Sequence, residues 1–163
     1  MKWKTALTTI GLGTLAYKLL RPLRQENLAG EVVLITGASR GLGYLLAQEF
    51  AREGCRIAIC ARDATDLARA QRHLERRGAE VLAIPCDVGD QDQVQQLVNE
   101  TTRHYGRIDI LINNAGIIQV GPAEEMEMAD FKLAMDVMYW AILYATWAVL
   151  PQMQARGYGR IVN

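Results

Sequence analysis

From Glu31 onward the hydrophobic positions follow two alternating rhythms. Val32 to Thr36 is an unbroken apolar, β-branched run close to glycines, the pattern of a strand buried on both faces. Leu42 to Glu53 then has helical spacing and stops at Gly54, which stands where a glycine commonly ends a helix. Arg56 to Ala61 predicts a second strand. Asp63 is placed to N-cap a helix that carries Leu67, Ala70 and Leu74 and ends near Gly78. Glu80 to Pro85 predicts strand three, and Asp90 the cap of a helix over about Gln91 to Tyr105, with Gly106 behind it. Ile108 to Asn113 predicts strand four. A long apolar helix from roughly Met128 to Gln154 precedes Arg160-Ile161-Val162-Asn163, the start of a fifth strand. Alternation of this kind implies right-handed crossovers and a parallel sheet with helices on both faces. No internal repeat or low-complexity tract interrupts it.

The first 30 residues break the rhythm. Residues 1 to 25 hold Lys2, Lys4, Lys18, Arg21 and Arg24 with no acid, around an apolar stretch of about 13 residues from Thr5. A simple transmembrane helix needs ~20. The favoured reading of residues 1–20 is a membrane-surface helix or short anchor, with a disordered or core-packed extension and a cleaved signal as the alternatives. Residues 21–30, beginning Arg21-Pro22-Leu23-Arg24, read as a linker, because Pro22 ends a helix. Residues 31–163 then form one domain.

Composition narrows the class. The chain has 163 residues, half of them hydrophobic, and balances 18 Lys and Arg against 18 Asp and Glu. It is long enough for a core and too apolar for general disorder. Lack of net positive charge argues against nucleic-acid binding. Cys55, Cys60 and Cys86 are odd in number, lie in apolar runs and have no metal-ligand spacing, so they read as reduced core thiols in a cytosol-facing protein.

The chemistry begins at the first strand-to-helix turn, Thr36-Gly37-Ala38-Ser39-Arg40-Gly41-Leu42-Gly43. Glycines between a buried strand and an amphipathic helix let backbone N–H groups and the helix N-terminus approach a pyrophosphate. The spacing Gly-x-x-x-Gly-x-Gly differs from the commoner Gly-x-Gly-x-x-Gly and resembles that of the short-chain dehydrogenase/reductase family. Asp87-Val88 after strand three, Asn113-Asn114-Ala115-Gly116 closing strand four and Gly159-Arg-Ile-Val-Asn before the chain's end fall in the same order as that family's motifs. The resemblance covers residues 28 to 163. It implies a Rossmann-like, doubly wound sheet of order 3-2-1-4-5-6, here breaking off within strand five. It also implies that Asp87 contacts the adenine amino group, that Val88 lies beside the adenine ring, and that Asn114, Ala115 and Gly116 line the path of the nicotinamide ribose. The Asn pair is also open to a structural role as a lock between neighbouring strands, a role the resemblance implies as well.

Cofactor choice follows from charge. A carboxylate at the end of strand two would bond a free adenosine ribose and repel a 2′-phosphate. That strand ends Cys60-Ala61-Arg62, with a second cation, Arg40, in the glycine turn, and two guanidiniums suit one phosphate. The pattern favours NADP over NAD, with Gly37, Ser39, Arg40, Gly41, Leu42, Gly43 and Arg62 as the phosphate-end contacts. Asp63 is better read as a helix cap than as the ribose carboxylate.

Two departures from the family pattern bear on activity. The resemblance implies a catalytic Asn in the long helix, a Ser beyond strand five and a Tyr-x-x-x-Lys pair further on. Met138 stands where the Asn is expected, and a thioether cannot orient a relay water as an amide does. The Ser and the Tyr-x-x-x-Lys pair do not occur before Asn163. Tyr139, Tyr144 and Tyr158 lack a Lys four residues on, and His73 and His104 fall on helices away from the cofactor motifs. No catalytic residue is therefore expected in this chain. It reads as the dinucleotide-binding portion of an NADP-dependent short-chain oxidoreductase that interconverts a carbonyl and an alcohol in its complete form, inactive as these 163 residues alone. The alternatives are a non-catalytic dinucleotide-binding or interaction module, and a non-functional fragment. The stripe Phe131, Met135, Met138, Tyr139, Ile142, Leu143, Thr146, Leu150 and Met153 predicts a core face on the 128–154 helix, wide enough to serve partly as a homo-oligomer interface.

Overall fold

Strand β1 (Val32–Thr36) is buried along its whole length, and its side chains feed two cores in alternation. Val32 and Leu34 point into one, Val33 and Ile35 into the other. That is why its sequence is continuously apolar: a strand covered on both faces has no solvent side to mark with polar residues. The computed structural model describes residues 27–163. In it β1, β2 (Arg56–Ala61), β3 (Val81–Pro85), β4 (Ile110–Ile112) and β5 (Arg160–Val162) form one sheet ordered β3-β2-β1-β4-β5, all neighbours parallel. The expected Rossmann-like α/β architecture is present. The reading of residues 1–20 as a membrane-surface segment lies outside the described residues. Of the 21–30 segment, residues 28–30 form a turn tied to the domain by Gly30 N–H to the Gly54 carbonyl at 2.9 Å and by the Cys55 thiol to the Leu28 carbonyl at 3.3 Å.

Helices α1 (Gly41–Arg52) and α2 (Ala64–Glu75) cover one face of the sheet, while α3 (Gln91–Tyr105) and α5 (Ala141–Arg156) cover the other. The caps follow the sequence: Asp63 accepts from the Asp66 amide at 2.8 Å, and Asp90 from the Asp92 and Gln93 amides at 2.9 and 3.1 Å. Strand β4 is shorter than predicted. The Ile108 amide leaves the ladder for the Gln152 side chain on α5 at 3.0 Å. Next to it Asp109, 3% exposed, accepts from the Val32 amide at 2.9 Å and from Arg107 Nε at 2.8 Å, with Arg156 3.5 Å away. A buried carboxylate is tolerable only when partnered in this way.

The long helix departs most from the sequence reading. It runs without a break from Met128 to Arg156, as α4 (Met128–Met135), a π-helical turn over Asp136–Trp140, and α5. A single 3-10 turn, Ala123–Glu125, precedes it. Its buried face is Val137, Ala141, Ala145, Val149 and Met153, whereas Phe131, Met135, Met138 and Tyr139 are exposed. The predicted core stripe is thus corrected: of its bulky members only Met153 is buried outright. Two causes act together. Small side chains let the helix axis approach the sheet and α3, and the π turn inserts an extra residue that rotates the register. By length and apolar composition this helix has the dimensions of a membrane span, but its buried stripe packs into the sheet core.

Candidate functional site

The carboxyl ends of β1 and β4 are held together by one threonine and one asparagine. Thr36, 4% exposed, accepts from the backbone amides of Asn114 and Ala115 at 3.0 Å each through its hydroxyl oxygen. The same hydroxyl donates to the Ile112 carbonyl at 3.4 Å. The Asn114 side-chain amide returns the connection, donating to the Thr36 carbonyl at 2.9 Å and the Gly37 carbonyl at 3.1 Å. Asn114 is therefore a structural lock between the strands as well as a wall of the space above them. Asn113 turns the other way, its amide donating to the Asn163 side chain at 2.7 Å.

This lock explains the glycines. A Cβ on Gly37, whose φ is +66°, would stand 2.7 Å from Ala115 Cα, and one on Gly43 would stand 2.4 Å from the Asn114 amide nitrogen. Close approach of the turn to β4 leaves no room for either. A Cβ on Gly41 would meet nothing within 4 Å, so the outer side of the same turn is open. Arg40 holds the N-cap position of α1 in an extended conformation with no side-chain cap, so the first-turn amides are served by no side chain. Such a bare backbone cradle at a helix N-terminus fits a phosphate.

A cleft of about 640 Å³ opens at this end of the sheet. Of the residues expected to bind cofactor, Gly37, Ser39, Arg40, Gly41, Leu42, Arg62, Val88, Asn114, Ala115 and Gly116 line it. Gly43 lies behind the turn against Asn114. Asp87 is turned into its own loop, its carboxylate accepting from the Gly89 amide at 3.0 Å and its amide donating to Gln93 at 2.9 Å. Two further carboxylates border the cleft near Arg62. Asp63 caps α2, and Asp66 pairs with Arg69 at 2.6 Å, so both are committed to their own helix.

Sequence reasoning did not assign Ala61, Cys86, Ile117, Ile118 or Val137 to the cleft, yet all five line it. Cys86 immediately precedes Asp87-Val88, and that adjacency was the available signal. Met138 lines the cleft from the π turn. The other candidate proton carriers are elsewhere. Tyr158 donates its hydroxyl to Glu31, which holds the phenol above its usual range. His73 is on α2, and His104 packs edge-on to Tyr105 on α3.

Comparison with known proteins gives the same picture. The sequence profile of the short chain dehydrogenase family matches residues 31–163. An uncharacterized oxidoreductase of Bacillus subtilis is 40% identical over 133 residues, covering 82% of this chain and 52% of that protein. Among solved structures, a metagenomic short-chain oxidoreductase in complex with NADP superposes with a TM-score of 0.78 at 31% identity, over 83% of this chain and 62% of that one. A short chain dehydrogenase/reductase from Burkholderia phymatum in complex with NAD gives a TM-score of 0.81 at 30% identity, over 84% of this chain and 49% of that one. The chain spans about half the length of the curated relatives it matches.

Proposed function

Because the chain belongs to the short chain dehydrogenase family, we propose that its cleft holds a nicotinamide dinucleotide by the phosphate end, with NADP preferred over NAD. The observation that carries the preference is the placement of Arg40 and Arg62 on one cleft while both nearby carboxylates are engaged elsewhere. Two guanidiniums facing one phosphate form charge-assisted hydrogen bonds. A free ribose hydroxyl would find no unengaged acid among Asp63 and Asp66.

Within this reading each residue has a task. The turn from Gly37 to Gly43 presents backbone amides to the pyrophosphate, and Thr36 with Asn114 keeps that turn rigid against β4. Val88 and Ile117 give the adenine and nicotinamide ends apolar surface, and Ala115 and Gly116 keep the far end narrow without filling it. A bound nicotinamide dinucleotide supplies or accepts the hydride in carbonyl–alcohol interconversion, and that conversion is proposed for the whole protein. No Tyr, His or Lys lines the cleft among the described residues, so the part played by residues 31–163 is to bind and position. Met138 on the cleft wall favours a second reading, a dinucleotide-binding module without catalysis, because a thioether offers no relay to a proton donor.

Calorimetric titration of the chain with NADPH and NADH tests the reading. NADPH is expected to bind more tightly. Equal affinities overturn the cofactor preference, and absence of binding by either overturns the site.

A further inference from the structure

Two thiols at the cleft have no part in the function proposed above. Cys60 is fully buried in β2, and Cys86, 3% exposed, is the first residue beyond β3 and borders the cleft. Their strands pair with Cys60 opposite Ile84 and Ala61 opposite Pro85, and the Cys86 amide donates to the Ala61 carbonyl at 3.0 Å. Side chains alternate along a strand, so Ile84 and Cys86 share the face on which Cys60 lies. The two thiols lie in one buried core, near enough that each shifts the other's titration in opposite directions. One thiol is reachable from the cleft and the other is sealed behind it.

We propose that Cys60 and Cys86 are an oxidisable dithiol in the cleft wall, which a hydroperoxide converts to a disulfide when the cleft is open and which a bound dinucleotide shields. The shielding rests on the dinucleotide reading of this cleft; the dithiol does not. The neighbouring Cys60 thiol holds Cys86 below the usual thiol range, against the opposing effects of burial and of the Asp87 and Asp90 carboxylates, while Cys86 and burial push Cys60 well above that range. Cys86 is accordingly the nucleophile: it lines the cleft where Cys60 does not, and the thiolate is the reactive form.

The chemistry balances. The Cys86 thiol gives its proton to solvent and the thiolate attacks one oxygen of hydrogen peroxide; the S–O bond forms, the O–O bond breaks, and the leaving hydroxide takes up that proton to become water. Cys60 then attacks the sulfur of the resulting sulfenic acid. The S–S bond forms, the S–O bond breaks, and the departing hydroxide carries away the Cys60 proton as water. Two thiols lose two electrons, and the peroxide becomes two waters. A disulfide needs Cα atoms within about 7 Å. Cys86 stands past the end of β3, so the closing movement falls on a strand end and leaves the five paired positions of β2 and β3 intact.

The test exposes the 163-residue chain to hydrogen peroxide with and without NADP⁺, unfolds it, alkylates free thiols and maps the products by peptide mass. Cys55 is the internal control, since burial first and nearby carboxylates second push its thiol up to about 11. The expected product is a Cys60–Cys86 linked peptide lighter by two hydrogens, reversed by dithiothreitol, with Cys55 alkylated. NADP⁺ at a hundred times its Kd is expected to slow linkage about a hundredfold, because only the empty fraction reacts. A Cys60→Ser variant is expected to carry Cys86 on to sulfinic acid for want of a second thiol. Linkage at an unchanged rate under NADP⁺ upholds the dithiol and overturns the dinucleotide site above it. Overoxidised Cys86 beside free Cys60 in the unaltered chain, or both thiols intact, overturns the dithiol itself.

Discussion

At Gly43 a methyl group would stand 2.4 Å from the Asn114 amide nitrogen, and that nitrogen is the donor for two carbonyls of the glycine turn. Gly43→Ala is therefore expected to displace Asn114 and strand the Thr36 and Gly37 carbonyls, at a cost of ~1–3 kcal/mol, the range for buried groups left without a partner. A urea melt reads this as a lower midpoint; an unchanged midpoint would show that Asn114 is not the lock. Arg62 is expected to govern affinity rather than stability. Arg62→Asp replaces attraction with repulsion, so NADPH binding should weaken by ~1–3 kcal/mol while NADH binding changes less. Titration of both cofactors against both proteins checks it, and equal losses for the two would remove Arg62 from the phosphate. The absence of an acid at the end of β2 is visible in the chain itself. The capping role of Asp63 is legible there too, whereas the pairing of Asp66 with Arg69 is known only from the folded contacts.

Among the elements, α3 carries a pH-dependent contribution that can be signed. Its cap, Asp90, accepts from the Gln93 backbone and side chain and from the Asp92 amide, which together hold its carboxyl below the usual carboxylate range. A group whose folded-state value is depressed stabilises the fold above its unfolded-state value and loses that contribution as pH falls through the folded one. Asp90→Asn keeps a capping acceptor and removes the titration, so the variant's stability should fall less steeply on acidification than the parent's. Denaturant melts across the carboxylate range measure the two slopes, and identical slopes would place the acid sensitivity elsewhere. The long helix shows how an element can be right in extent and wrong in orientation. Its span was readable from apolar composition, but apolar residues surround it so evenly that no face is marked. The sheet selects Ala141 and Ala145 because only small side chains allow close approach, and the π turn rotates the facing of every residue beyond it.

For the molecule as a whole, binding and turnover are expected to separate. The cleft gathers a glycine cradle, two guanidiniums and apolar walls, yet no Tyr, His or Lys among the described residues borders it. The 163 residues are expected to bind NADPH and to leave it unoxidised in the presence of aldehydes, ketones and quinones, which absorbance at the reduced nicotinamide band measures. Turnover above background, abolished by a substitution within residues 27–163, would mean that the cleft does contain a proton donor. Proton transfer needs a group within hydrogen-bond reach, and Tyr158, the hydroxyl nearest the carboxyl end, is spent on Glu31.

The amino-acid sequence by itself determined whatever depends on neighbours along the chain. The runs at Val32–Thr36 and Arg56–Ala61, the caps Asp63 and Asp90 and the glycines of the first turn act over a few residues, and all stand as the pattern implied. The β3-β2-β1-β4-β5 order was implied by the family resemblance of the motifs, and right-handed crossovers are consistent with it. Tertiary structure alone decided what depends on residues far apart. Thr36 meets Asn114 across 78 positions, Asp109 meets Val32 across 77, and Cys86 reaches the cleft only because β3 pairs with β2. Those contacts follow from where the elements pack, and packing is set by the volume and shape of side chains brought together from the whole chain.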